Sequence, residues 1–137
     1  MGMRIHSMIG KRSALTDAST HVIGDIFFKD LSALEHLSRN PIELVRNIGD
    51  AIEIHGGSII TNSLHVFSED GAFTVLFLLK ESHVSIHTWP EHFFAAVDVF
   101  TCGKDADALN IIKELLYVLD GADCETIVVQ RGPFLSI

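Results

Sequence analysis

Residues 72–102 read AFTVLFLLKESHVSIHTWPEHFFAAVDVFTC, and this stretch decides the fold. Ala72–Lys80 is β-rich and of strand length. His83–Trp89 is a second extended, β-rich run, and Pro90 stops it. Phe93–Cys102 is a third, opening on bulky apolar residues and ending in Val97-Asp98-Val99-Phe100 with its neighbours. The hairpin-like connections between these runs favour an antiparallel sheet.

Working upstream, Glu69-Asp70-Gly71 is a turn that places glycine where a positive φ is needed. Ser58–Phe67 reads as a strand, with Ile60, Asn62, Leu64 and Val66 alternating against Ile59, Thr61, Ser63 and His65. Before it, Asn40 as N-cap and Pro41 at the first helical position start a helix. Leu44, Val45, Ile48, Ala51 and Ile52 form its apolar stripe, and Gly56-Gly57 ends it. Leu31–Leu37 reads as a short helical turn and His21–Phe28 as a strand. Downstream, a helix is expected from about Asp105, with Ala108, Ile111, Ile112, Leu115, Leu116 and Leu119 buried and Gly121 closing it. Thr126–Gln130 is a last strand. The expected fold class is α+β: a two-layer sandwich, a mostly antiparallel sheet with helices packed on one face.

The chain has 137 residues, enough for one domain. Nothing divides residues 21–137, which are expected to form that domain. Residues 1–20 carry Arg4, Lys11 and Arg12 ahead of the first acid, Asp17, and are expected to be a flexible N-terminal tail. The 10 basic residues against 18 acidic ones leave a net charge of −8, which argues against a nucleic-acid partner and suits a cationic small molecule. No apolar run is long enough to span a bilayer. Two cysteines without a CxxC fit a reducing compartment, and the cytoplasm is the expected location.

Glu81–Gly103 concentrates Ser82, His83, Ser85, His87, Glu91, His92, Asp98 and Cys102. Read from the residues alone, each histidine is a packing residue on a half-buried strand and Cys102 a small buried hydrophobe. A metal site from His83, His87 and His92 lacks an HExxH pattern, and His92 lies beyond the Pro90 break, so no metal is expected. A Ser or Cys hydrolase using His87 with Ser82 or Cys102 lacks a GxSxG elbow and a placed acid.

The same segment resembles the signature of the S-adenosylmethionine decarboxylase family in its short prokaryotic, pyruvoyl-dependent form. The resemblance is carried by Glu81-Ser82-His83, by Ile86-His87-Thr88-Trp89-Pro90-Glu91, and by Ala95-Ala96-Val97-Asp98-Val99-Phe100-Thr101-Cys102-Gly103. It extends from about His21 to Gln130 and leaves the N-terminal residues outside.

The resemblance implies a chain that cuts itself between Glu81 and Ser82. Ser82 Oγ attacks the Glu81 carbonyl, His87 removes the Ser82 α-proton, and Ser82 ends as the pyruvoyl cofactor. It implies that Thr74, at a position where the family is expected to have serine, assists processing. The substrate, S-adenosylmethionine, then joins the pyruvoyl group as a Schiff base, and Cys102 returns a proton to Cα after carbon dioxide leaves. Glu91 is implied to grip the ribose hydroxyls and Phe67, two residues after His65, to stack on adenine. The product feeds spermidine synthesis, and the short members form homodimers with sites near the subunit boundary. Two alternatives stay open: a same-fold decarboxylase of arginine or ornithine, and a non-catalytic regulatory paralogue. One geometric demand also stands out. Ser82 and His87 differ by an odd number, so an unbroken strand aims them at opposite faces, and a bend is expected near Glu81–His83.

Overall fold

Within residues 2–9, 19–102 and 106–132, which the computed structural model describes, the three quoted runs become adjacent strands of one sheet. In chain order the elements are β1 (Gly2–Ile9), β2 (Ser19–Phe27), α1 (Ser32–Arg39), α2 (Pro41–Ile54), β3 (Ile59–Val66), β4 (Phe73–Leu79), β5 (Ser82–Trp89), β6 (Phe94–Thr101), α3 (Ala108–Val118) and β7 (Asp123–Arg131). A 3-10 turn, Pro90–His92, joins β5 to β6. The seven strands lie in the order β1-β7-β2-β6-β5-β4-β3. Every neighbouring pair is antiparallel except β1 and β7. The two-layer α+β arrangement expected from the sequence is the one observed.

β2, β4 and β6 alternate in burial along their lengths, and this puts the core on one side. Val22 and Ile26 of β2, Val97 and Val99 of β6, Val84 and Ile86 of β5, and Val75, Phe77 and Leu79 of β4 are buried. They meet the expected stripes of α2 (Leu44, Ile48, Ala51, Ile52) and α3 (Ala108, Ile111, Ile112, Leu115, Leu116) in a single cluster. Gly24 lets α3 approach β2 closely, because a Cβ there would lie 2.6 Å from Ile112 Cδ1. The other face of the sheet carries Ile23, Phe27, Leu76, Leu78, Trp89 and Ile127, all exposed.

Four expectations need correction. Residues 2–9 are not a flexible tail: β1 adds in parallel to the outer edge of β7, from Gly2 opposite Asp123. That edge offers unpaired backbone groups, and Arg4 fastens to it, 3.1 Å from Glu125 and 3.7 Å from Asp123. Partners some 120 residues away leave no local mark in the sequence; Lys11, Arg12 and Asp17 lie outside the described residues. Second, Asn40 occupies the N-cap position of α2, with Pro41 following, but its side chain makes no cap bond there. The amide instead donates to the His36 carbonyl at 2.7 Å, satisfying an orphan acceptor at the end of α1. Third, a register shift between Ile59 and Thr61 turns Ile60 outward, 62 % exposed, while Ile59 packs on the core. Fourth, α3 begins at Ala108, where Asp107 Oδ1 accepts from Asn110 N–H at 3.1 Å. Gly103 and Asp105 lie outside the described residues.

The β3–β4 turn is tied down from both layers. Gly71 has φ 103°, and its N–H donates to buried Ser38 Oγ at 3.1 Å. A Cβ at Gly71 would lie 2.8 Å from Leu34 Cβ. Gly71→Ala is therefore expected to destabilise the fold by about 2 kcal/mol, read as a lower denaturant midpoint at unchanged slope. On the open face, desolvation first, then the Glu125 and Asp98 carboxylates, hold the Asp25 carboxyl above its ordinary range. A raised acid favours the folded state only while protonated, so that contribution is lost as pH rises through its folded value. Asp25→Asn should raise the melting temperature at pH 7, and the gain should vanish below the ordinary carboxyl range.

Candidate active site

The link between β4 and β5 is two residues long, since Leu79 pairs directly with Ser82. Such a tight reversal needs left-handed backbone, and with no glycine available Glu81 adopts it at φ 65°. A non-glycine residue there stores roughly 1–3 kcal/mol of strain. This turn precedes Ser82, so β5 runs unbroken from Ser82 to His87 and the bend expected to bring the two to one face is not observed. Ser82 Oγ donates to the Lys80 carbonyl at 3.2 Å. Cys102, one residue beyond β6, donates its S–H to the Glu81 carbonyl oxygen at 2.9 Å. Ser19 Oγ lies 3.1 Å from the same sulfur. Lys80, Glu81, Ser82 and Cys102 border a cleft of about 230 Å³ with Gly56, Gly57 and Ser58.

The second group gathers at the other end of β5. Thr74 and His87 are cross-strand partners, and Thr74 Oγ1 lies 3.0 Å from His87 Nδ1. The His87 ring stacks on Trp89 at 6.1 Å, and Trp89 on Phe94 at 5.5 Å. Phe67, at the end of β3, meets His65 edge-on at 4.5 Å and is 65 % exposed. Phe67, Thr74, His87, Trp89 and Glu91 line one cleft of about 440 Å³. Its floor is Thr88, which accepts from Phe73 N–H at 2.9 Å and donates to the Gly71 carbonyl at 2.5 Å. Phe67 is therefore held by a turn that is itself bolted to β5.

Within one protomer the site residues divide into these two groups. Ser82 lies on the helix-covered face with Val84 and Ile86, whereas His87 lies on the open face. Five residues of strand also separate them by about 16 Å. The turn at Glu81 reverses the chain but leaves this alternation intact. Between the groups, Asp98 accepts from Ser85 Oγ at 3.5 Å and lies 3.2 Å from His21 Nε2. Among the described residues no cluster of three His, Cys, Asp or Glu side chains is arranged to hold a metal ion. His83 packs instead against Phe100, with ring centroids 5.5 Å apart.

The two cysteines are chemically distinct. Cys124 is buried, and burial first, then the nearby Asp25, pushes its thiol up to about 11, which keeps it inert. Cys102 is half-buried at the cleft. Sequence reading missed Ser19, because its relation to Cys102 depends on how β2 is registered against β6.

The family model described as S-adenosylmethionine decarboxylase matches residues 20–132. Similar proteins include the S-adenosylmethionine decarboxylase proenzyme of Persephonella marina, 35% identical over 113 residues, which cover 82% of this chain and 80% of that protein. The proenzyme of the same name from Methanococcus aeolicus is 35% identical over 116 residues, covering 85% and 95%. The crystal structure of the adenosylmethionine decarboxylase from Aquifex aeolicus shares the fold, with a TM-score of 0.71, 24% identity, and coverage of 89% of this chain and 97% of that one. With the family match spanning the domain from β2 to β7, the chain belongs to the S-adenosylmethionine decarboxylase family.

Proposed function

We propose that this protein is a self-processing, pyruvoyl-dependent S-adenosylmethionine decarboxylase, cut between Glu81 and Ser82 and active as a homodimer. Its product is decarboxylated S-adenosylmethionine, the aminopropyl donor for spermidine. Beside family membership, one observation carries this reading: the Cys102 S–H rests on the carbonyl oxygen of Glu81, next to a serine and within a strained turn.

That arrangement suits an acyl shift. The Ser82 hydroxyl is one residue past the Glu81 carbonyl, and rotation away from the Lys80 oxygen brings it to the carbonyl carbon. Charge then develops on the oxygen that Cys102 already contacts, where a preorganised donor is most effective. Cutting the chain releases the left-handed strain at Glu81. Removal of the Ser82 α-proton needs a base, and the imidazole His87, oriented by Thr74 Oγ1, is the implied one. When formed, the pyruvoyl group supplies an electron-withdrawing ketone that accepts the electrons released with carbon dioxide. Glu91 accepts the ribose hydroxyls, Phe67 stacks on adenine, and the neighbouring aromatic rings suit the sulfonium. Cys102 holds the proton that returns to Cα.

His87 and Ser82 cannot meet within one protomer, so we assign the base to a second copy. The open sheet face, with Ile23, Phe27, Leu76 and Leu78 exposed, is the surface that copy covers. A two-fold axis there would bring the Thr74–His87 group of each protomer to the β4–β5 turn of the other, where Ser82 stands at the end of its strand, giving two sites per dimer. After cutting, residues 1–81 and the remaining 137 − 81 = 56 residues stay joined through the β4–β5 and β2–β6 ladders. Both cysteines are unpaired, and among the described residues no helix is long and apolar enough to cross a membrane. We place the enzyme in the reducing cytoplasm on that basis.

Intact mass tests the cut: two fragments are expected, the second blocked by a pyruvoyl group, and Ser82→Ala should remain a single chain. A single full-mass chain after long incubation of the unaltered protein would overturn the reading. Co-expressing differently tagged Ser82→Ala and His87→Ala chains tests the shared site. Alone, neither should be cut; together, only the His87→Ala chain should be, using its partner's imidazole. Failure of that chain to be cut in the mixed dimer would count against a shared site. Cys102→Ala should slow cutting as well as remove most turnover, since the same thiol faces the Glu81 oxygen.

A further inference from the structure

Ser19 is the first residue of β2, one position before the stretch that the family model matches. The β2–β6 ladder runs to Thr20 opposite Thr101, and the β5–β6 ladder to His83 opposite Phe100. Extending both registers to the end of the sheet places Ser19, Cys102 and Glu81 in one row across β2, β6 and the β4–β5 turn. The contacts agree with that row. Cys102 Sγ lies 2.9 Å from the Glu81 oxygen and 3.1 Å from Ser19 Oγ. A thiol has one proton to donate, and a carbonyl oxygen can only accept. With that proton on the Glu81 oxygen, the sulfur is the acceptor toward Ser19, and the Ser19 hydroxyl is the donor.

We propose that Ser19 is a positioning residue for the Cys102 thiol. Its hydroxyl binds one side of the sulfur, turns the single S–H toward the reacting carbons, and stabilises the thiolate formed when that proton leaves. The inference rests on Cys102 being the proton donor. In the step, the S–H bond breaks and a C–H bond forms at the carbon that has lost carbon dioxide. The sulfur is left as thiolate with the Ser19 O–H still donating to it, and a solvent proton then restores the thiol. Ser19 and Cys102 are both half-buried, so water reaches the pair. Aim matters chemically as well as kinetically. A proton delivered to the pyruvoyl-derived carbon instead of Cα would transaminate the enzyme and end its activity. Ser19 should therefore set the number of turnovers each active centre completes, besides their rate.

The test uses cut enzyme, with activity expressed per pyruvoyl-bearing chain as counted by mass spectrometry. Loss of a hydrogen bond to a charged sulfur should lower kcat of Ser19→Ala about tenfold. KM should be unchanged, and fewer turnovers should precede inactivation. Ser19→Thr keeps the hydroxyl and should restore both kcat and turnover number. A cut Ser19→Ala enzyme with unaltered kcat and unaltered turnover number would overturn the inference. So would Ser19→Thr behaving like Ser19→Ala. Full turnover in a cut Cys102→Ala enzyme would instead overturn the reading of Cys102 itself, whatever the Ser19 variants do.

Discussion

Side chains alternate along a strand with a period of two, and on β5 that alternation governs everything the site can do. The even-numbered residues Val84, Ile86 and Thr88 are buried under the helices. Ser82 shares their face because it is the first residue of the same strand. The odd-numbered His83, His87 and Trp89 face outward in consequence. No shift of register can unite them, because turning His87 inward would turn Ser82 outward with it and would expose Val84 and Ile86 as well. The proposed chemistry, which needs both Ser82 and His87, accordingly draws them from two copies of the sheet. The uncovered face and the divided site are two results of one packing requirement.

The second constraint is the shortness of the β4–β5 connection. Two residues must reverse the chain without a glycine, and Glu81 takes up the left-handed backbone. The surrounding sheet holds it there, because β4 and β5 are paired along their length and flanked by β3 and β6. Strain of this kind persists only where the neighbouring structure over-determines it. It is concentrated on the one peptide whose carbonyl oxygen also receives the Cys102 thiol. The fold thus places a strained residue and a thiol donor at one peptide, which is what the proposed cleavage asks of it.

The far cleft is built on the opposite logic. The β3–β4 turn is long and polar, yet Ser38 from α1 and Thr88 from β5 satisfy both backbone groups of Gly71. Both hydroxyls are buried, so each bond replaces contact with water that the core excludes. Phe67 projects from that fixed turn over the cleft that holds Thr74, His87 and Glu91. The backbone that carries Phe67 is thus ordered in advance, so the nucleoside contact proposed for it would cost little further ordering.

Much of the molecule was legible in the residues. The apolar stripes of α2 and α3, the alternation of β4 to β6, the Pro90 stop and the Gly71 turn all follow from local periodicity and backbone chemistry. So does the odd spacing of Ser82 and His87, which already implied opposite faces. The contiguous segment Glu81–Gly103 carried the family resemblance, because those residues are neighbours in the chain. What depended on distant partners was not legible. β1 finds its place through an edge of β7 about 120 residues away, and Ile60 is turned out by a bulge set against β4. Ser19 reaches Cys102 through 83 residues of intervening chain, by the register of β2 on β6. The sequence by itself determined which elements form and which side chains share a face, since both depend on spacing along a few residues. Only the tertiary structure decided which groups touch, since pairing register and packing are properties of segments far apart in the chain.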